Sequence, residues 1–401
     1  MTSGRRIAAL FTAADLGIER FESVNETMQF IDYGEFLFAC AVDRAMMRTG
    51  NAESPSFAHL PMPVRFRATG ALRAWTEVLD TLPGMGQARA ALIDPAVPVE
   101  AARVHLMRAL ATSLFVDEDA LREETRSSIL SWLVRAAEML CFWLRGGSLY
   151  EPSSSLNAFL ERSDISGDMP MELLTLPAPA LCIVLPNAES KQSAGGTGAA
   201  TVFQQVETDG KRRRIEIALH AFSRDGKLIY LQMVIEGWKP DATIRATLEE
   251  AEQQNLRALD SGKDVCIDNP ETLKAFFEVM RSTLDHIAKV LLYLKLDNAI
   301  VREDRPYSVA PKLFPGLGKR KRELKLAEID RLYDRYIIGP EGLPEPVQAV
   351  SGDSPHIGHQ VATHWRRGHF RSQLHGPLNS LRKVVFIAPV LVRADRLSAG
   401  M

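Results

Sequence analysis

The run Arg214-Ile-Glu-Ile-Ala-Leu-His-Ala-Phe222-Ser-Arg-Asp225-Gly226-Lys227-Leu-Ile-Tyr-Leu-Gln-Met-Val-Ile-Glu236 reads as two β-strands folded back across an Asp-Gly turn. β-Branched and aromatic residues dominate both arms, and Asp-Gly supplies the positive φ that a tight hairpin needs. In the first arm Ile215, Ile217, Leu219 and Ala221 fall on one face, with Arg214, Glu216 and His220 on the other, the period-two pattern of a strand with one apolar side. A second Asp-Gly, at Asp209-Gly210, links this arm to Val202–Glu207. The three segments therefore form an antiparallel meander, and Leu173–Pro186 adds a short apolar strand before it.

On both sides of the meander the periodicity changes to that of helices. From Ile7 to about Leu144 apolar residues recur three and four apart, as in Phe36, Ala39, Cys40, Val42, Met46 and again in Ile129, Leu133, Ala136, Leu140, Trp143. Turn formers break the pattern at Asn51–Pro55, Leu82-Pro83-Gly84 and Asp94–Pro98, Gly146-Gly147 reads as a helix stop, and Glu151–Ser155 reads as a boundary. Downstream, Thr243–Ser261 and Pro270–Lys295 read as helices that cover the sheet. The tail reads as a hairpin, His359–Gln373 against Lys383–Val392 through a turn at His375–Asn379, with Pro389 marking an edge position or a bulge. The expected fold class is α+β: a helical domain over 1–150, an antiparallel sheet with two helices over 165–300, a basic helix and linker over 301–353, and a basic His/Arg-rich hairpin over 354–401 that packs on the sheet domain and adds strands to it.

The chain has 401 residues, 46% apolar and 24% charged, ordinary proportions for a folded protein. Ile129–Leu144 is its longest apolar stretch, but Arg135 and Glu138 interrupt it, so it falls short of the roughly twenty apolar residues of a membrane span. Arg5 and Arg6 precede an apolar patch, yet Asp15 and Glu19 follow where a signal peptide would remain apolar. A cytoplasmic protein without a membrane partner is expected. Cys40, Cys141, Cys182 and Cys266 are widely spaced among apolar neighbours, which suits core residues rather than a zinc or disulfide framework.

Charge is unevenly distributed: residues 301–401 carry 17 Lys and Arg against 10 Asp and Glu, whereas residues 1–300 carry 31 against 40. A basic tail on an acidic body suits an anionic partner such as nucleic acid, or docking of the tail on the body itself. The cluster Lys319-Arg320-Lys321-Arg322 reads first as a solvated helix start.

Five of the nine histidines lie beyond residue 350, in His356-Ile-Gly-His359-Gln-Val-Ala-Thr-His364-Trp365-Arg366-Arg367-Gly368-His369-Phe370-Arg371-Ser-Gln373 and at His375. In a strand, Thr363, Trp365, Arg367, His369, Arg371 and Gln373 share one face, while Ala362, His364, Arg366 and Phe370 share the other. Arginine holds phosphate by two-point geometry, tryptophan stacks on a base, and histidine donates to phosphate or moves a proton. Trp365, Arg366, Arg367, His369, Arg371 and Gln373 are thus the candidate contacts to RNA or single-stranded DNA. His364 and His369 are the candidates for proton transfer in an alternative reading, a metal-independent ribonuclease. The structural reading of the same residues is that Trp365 and Phe370 pin the hairpin down while the arginines pair with the acidic body. No metal is expected, because five-residue spacing alternates His359, His364 and His369 between faces and no carboxylate lies between Asp353 and Asp395. No cofactor is expected either: Gly316-Leu-Gly318-Lys319-Arg320 and Gly195-Gly-Thr-Gly198 lack the spacing of a phosphate-binding loop, and no Gly-x-Ser-x-Gly or His-Glu-x-x-His is present.

The run His364–Gln373, with Leu291-Leu-Tyr-Leu294 upstream and Ile387-Ala-Pro-Val390 closing it, resembles the C-terminal end of uncharacterised proteins from bacterial phages and plasmids. That resemblance covers about the last quarter of the chain and implies a prokaryotic, mobile-element setting without implying a reaction. The functional expectation is a protein that binds nucleic acid through its basic C-terminal face. The alternatives are the ribonuclease and a non-catalytic scaffold whose N-terminal helices engage a protein partner, so enzymatic activity is left open.

Overall fold

The structure, a computed structural model, describes residues 33–114, 128–186, 198–206, 213–222, 228–237, 242–260, 270–342 and 364–392. Six helices precede the first strand among these residues: α1 (Tyr33–Ala52), α2 (Met62–Ala68), α3 (Ala71–Thr81), α4 (Gly86–Ile93), α5 (Val99–Leu114) and α6 (Ser128–Leu144). Their ends fall where the sequence places turn formers, with α1 closing at Ala52, α3 just before Leu82-Pro83-Gly84 and α4 just before Asp94-Pro95. The Gly146-Gly147 stop is a Schellman motif: Gly146 has φ 71°, its N–H donates to Trp143 O at 3.2 Å, and the Gly147 N–H donates to Phe142 O at 2.8 Å. A Cβ on Gly147 would lie 2.5 Å from the Phe142 ring, so that position requires glycine. Met139, Leu140, Cys141 and Phe142 are all fully buried, which marks α6 as a helix enclosed on every side.

The chain continues through β1 (Ser148–Pro152), α7 (Ser154–Glu161), β2 (Ser163–Ile165), β3 (Ala180–Val184), β4 (Ala199–Val206), β5 (Arg213–Phe222) and β6 (Leu228–Gly237). Then come α8 (Ile244–Asp260), α9 (Pro270–Leu294), β7 (Val301–Asp304), α10 (Lys319–Ile329), β8 (Arg335–Ile338), β9 (His364–Arg366), β10 (Gly368–His375), β11 (Leu381–Ile387) and β12 (Val390–Val392). Seven strands form one sheet in the order β6-β5-β4-β3-β1-β8-β7. The β4-β5-β6 meander is antiparallel, as its alternation implies, while β1 pairs in parallel with both β3 and β8. Ser148–Pro152 is too short and too close to the glycine pair to read as a strand in the sequence, yet it is an interior strand of the sheet, between β3 and β8. The architecture is α+β.

Both faces of this sheet are covered. Leu149, Ala180, Cys182, Ala199 and Phe203 share one core with the N-terminal helices. On the opposite face Leu181, Ile183, Val202, Ile215, Ile217 and Leu219 pack with α7, α8 and α9. Cys141 and Cys182 are core residues, and burial pushes the Cys141 thiol up to about 12; Cys40 is half-buried, and Cys266 lies outside the described residues.

The C-terminal hairpin forms a second, three-stranded sheet, β11-β10-β2, instead of extending the meander. It is seated by Phe370, which is fully buried, stacks on Phe386 at 4.4 Å and brings that ring edge-on to Tyr293 of α9. Gly368 lets β2 approach: a Cβ there would stand 2.6 Å from both Ser163 Oγ and Ile387 O. The pairs Arg366↔Val390 and His369↔Ile387 belong to one register, so no residue is inserted between the two ladders. Pro389 therefore interrupts the pairing by lacking an N–H, without producing a bulge.

Candidate functional site

In β10, Gly368 and Phe370 turn inward, while His369, Arg371, Gln373 and His375 lie on the outer face opposite Ile387, Val385, Lys383 and Leu381. Arg366, Arg371, Gln373 and Arg382 are exposed, and His369, His375 and Lys383 are half-buried. Residues 364–392 contain five Lys and Arg and no carboxylate. One candidate arginine is engaged: Arg367 Nη1 donates to both Asp164 oxygens, at 3.1 and 2.9 Å. Asp164 is the β2 partner of His369, which places its carboxylate on the outer face. For Arg366, Arg371 and Lys383 no ion pair forms among the described residues. Trp365 and His364 belong to β9, but their side chains lie outside the description, as do His356 and His359.

This geometry separates the histidines. His369 and His375 share a face but sit six residues apart, roughly 20 Å at the usual strand rise. Two groups that far apart cannot serve one phosphate as acid and base.

A second polar centre lies where β7 and β8 meet the N-terminal helices, around a cleft of about 290 Å³. Asp334 accepts from the Tyr307 and Ser308 N–H groups, both at 3.0 Å, and from the Ser308 hydroxyl. Burial alone would raise its pKa, but those donors outweigh it and hold the carboxyl below the usual value. The Arg67 guanidinium lies 3.6 Å over the Tyr307 ring and donates to the Leu332 carbonyl. Arg335 bridges Glu151 at 2.7 Å and Asp304 at 3.0 Å. The cations of this cleft are consumed internally, and it works as a staple holding the segment 305–334 to the body. No sequence signal marked it, because its partners are 26 to 265 residues apart.

Residues 150–394 match the AcrVA2-like family, described as anti-CRISPR type V subtype A2. The chain belongs to that family. The match spans more than half of the chain, from Tyr150 through the meander, α8, α9 and the hairpin, and places the protein among those of phages and mobile elements. The crystal structure of AcrVA2 aligns with a TM-score of 0.40 at 12% identity, over 82% of this chain and 99% of that one. No curated protein matches.

The helical layer lies outside the segment matched to the anti-CRISPR family, and one buried polar network ties the two together. His220 of β5 and Glu138 of α6 are each 1% exposed, with Nε2 and Oε1 2.8 Å apart. The Thr201 hydroxyl donates to the same oxygen. The Tyr230 ring stands 5.3 Å from the imidazole, and burial drives its phenol well above the usual pKa. Arg135 lies 5.3 Å over that ring and pairs with Glu53 at 2.7 Å. Histidine, carboxylate, hydroxyl and phenol together have the ingredients of acid–base catalysis, but the two central groups are sealed from solvent. They act as a clamp between layers. Nearby, Glu216 accepts from the Val99 N–H at 3.1 Å at the start of α5 and pairs with Arg214 at 2.9 Å.

No helix among the described residues is long and apolar enough to cross a membrane, and none of their His, Cys, Asp and Glu side chains gather in threes that could hold a metal ion.

Proposed function

We propose that this member of the anti-CRISPR family acts against a type V CRISPR system by binding rather than by catalysis, and that the outer face of its hairpin holds the phosphates of single-stranded RNA or DNA. The observation that carries this reading is the carboxylate-free hairpin on which Arg371, Gln373 and Lys383 align while, among the described residues, only Arg367 is neutralised. Arginine and lysine at strand spacing suit a phosphate backbone, and Gln373 adds a hydrogen-bonding group between them. The separation of His369 from His375 favours binding without cleavage.

The test is fluorescence anisotropy of labelled single-stranded RNA and DNA with the full chain and with the double variant Arg371→Ala/Lys383→Ala at several salt concentrations. Each lost phosphate contact on a single strand should flatten the log–log salt dependence by about 0.7, so the pair should remove about 1.4. Equal slopes, or wild-type protein that binds neither strand, would overturn the assignment.

A protein partner on the same hairpin is the second reading, and it has its own observation. Leu374, Leu378 and Leu381 are 48%, 101% and 53% exposed around the turn, and Leu378 holds a left-handed φ of 53°. An apolar knob on strained backbone suits insertion into a protein pocket.

A further inference from the structure

Away from the hairpin, α10 stands almost free of the body. Of its eleven residues only Ile329 is buried and Leu326 half-buried. A helix of this length is marginal without packing. Its opening residues add to the difficulty: Lys319, Arg320, Lys321 and Arg322 place four cations at the positive end of the helix dipole, with no acid in the first turn and no side-chain cap from Gly318. Lys319, Arg320 and Lys321 form no ion pair among the described residues, and Arg322 reaches only the Leu317 carbonyl. Apolar groups accompany them, with Val309 76%, Leu313 86% and Leu324 59% exposed. The base of this projection is fixed, because the Asp334 bonds to Tyr307 and Ser308 and the Arg67 stack close the segment at its two ends. Both ends of the segment are held on the body, which reduces the ordering cost of binding.

We propose that α10 docks in an acidic groove with an apolar floor on a partner protein. Charge complementarity selects an anionic partner, and the distribution of charge selects a groove. Four successive residues at 100° steps surround the helix axis, so a flat bilayer would meet about half of the cations, whereas acidic walls on both sides meet them all. Leu313 and Leu324 require an apolar floor, which a phosphate backbone does not supply. Acidic walls also offset the dipole and charge that destabilise the free helix. This surface is separate from the hairpin, and either reading can fail without the other.

The test uses the full chain and a purified type V effector protein freed of nucleic acid as the probe, with binding measured by calorimetry. Two variants are compared with the wild type: Lys319→Glu/Arg320→Glu/Lys321→Glu/Arg322→Glu, and Leu313→Ser/Leu324→Ser. All six positions are exposed, so unchanged thermal unfolding is the control for folding. Expected is binding by the wild type, weakened at least tenfold in each variant and retained in Arg371→Ala/Lys383→Ala. Three outcomes overturn the proposal: no binding by the wild type, binding within twofold in both variants, or a charge-reversal variant whose loss falls on single-stranded RNA or on phosphatidylserine vesicles instead of the effector protein.

Discussion

β5 and β10 both set charged and polar residues on one face of a strand, yet those polar faces have opposite fates. In β5 the polar side meets the N-terminal helices: Glu216 and His220 are sealed, each with a partner from another layer. In β10 the polar side meets solvent, and Arg371 and Gln373 remain exposed. The same alternation thus yields a clamp in one place and a contact surface in the other. What separates them is the layer above. A buried charge must be paired, whereas an exposed one is free to recruit a partner.

The comparison breaks most visibly at the clamp. Glu138→Ala or His220→Ala should each cost about 3–5 kcal/mol in chemical denaturation, since removing either side chain leaves the other buried without its partner across the layers and opens a cavity beside it. The double variant should cost clearly less than the sum of the two. A loss under about 1 kcal/mol for either single variant would mean that the network does not hold the layers together.

Next in size is a pH effect in α9. His286 Nε2 is buried without a partner among the described residues, and burial, with Lys289 nearby, lowers its pKa to about 4. The unfolded chain takes up this proton near pH 6.5 and the folded chain only near 4, so the stability is present above 6.5 and is lost as pH falls through that window, by up to about 3 kcal/mol. His286→Leu should flatten the stability profile between pH 6.5 and 4; an unchanged profile refutes the assignment.

Gly368→Ala comes third. Its Cβ would meet Ser163 Oγ and the Ile387 carbonyl at 2.6 Å, so the hairpin should loosen from β2 at a cost of about 1–3 kcal/mol, seen as faster amide exchange in β10. The smallest expected effect on stability sharpens the contrast with β5: Arg371→Ala/Lys383→Ala should unfold within about 0.5 kcal/mol of wild type while binding of single strands falls.

Much of the fold was legible in the sequence. Ile215, Ile217 and Leu219 announced the buried face of the meander, Gly146-Gly147 announced the end of α6, and Pro389 marked an edge position, although the bulge it equally allowed did not form. β1 was not legible, because five residues after a glycine pair carry too little pattern, nor was the pairing of β10 with β2, which depends on a close approach that only Gly368 permits. Of the candidate site, the outer positions of His369, Arg371 and Gln373 followed from period two, whereas the capture of Arg367 by Asp164, 203 residues away, did not.

Local chemistry therefore determined the meander, the long helices, the ends of those helices and the faces on which charge would fall, because those depend on backbone sterics and on period alone. The tertiary structure decided which polar face would be buried and which left open, which arginine would be neutralised, and that α10 would stand clear of the body. Those outcomes depend on what packs above a residue, and no spacing along a single strand or helix encodes that.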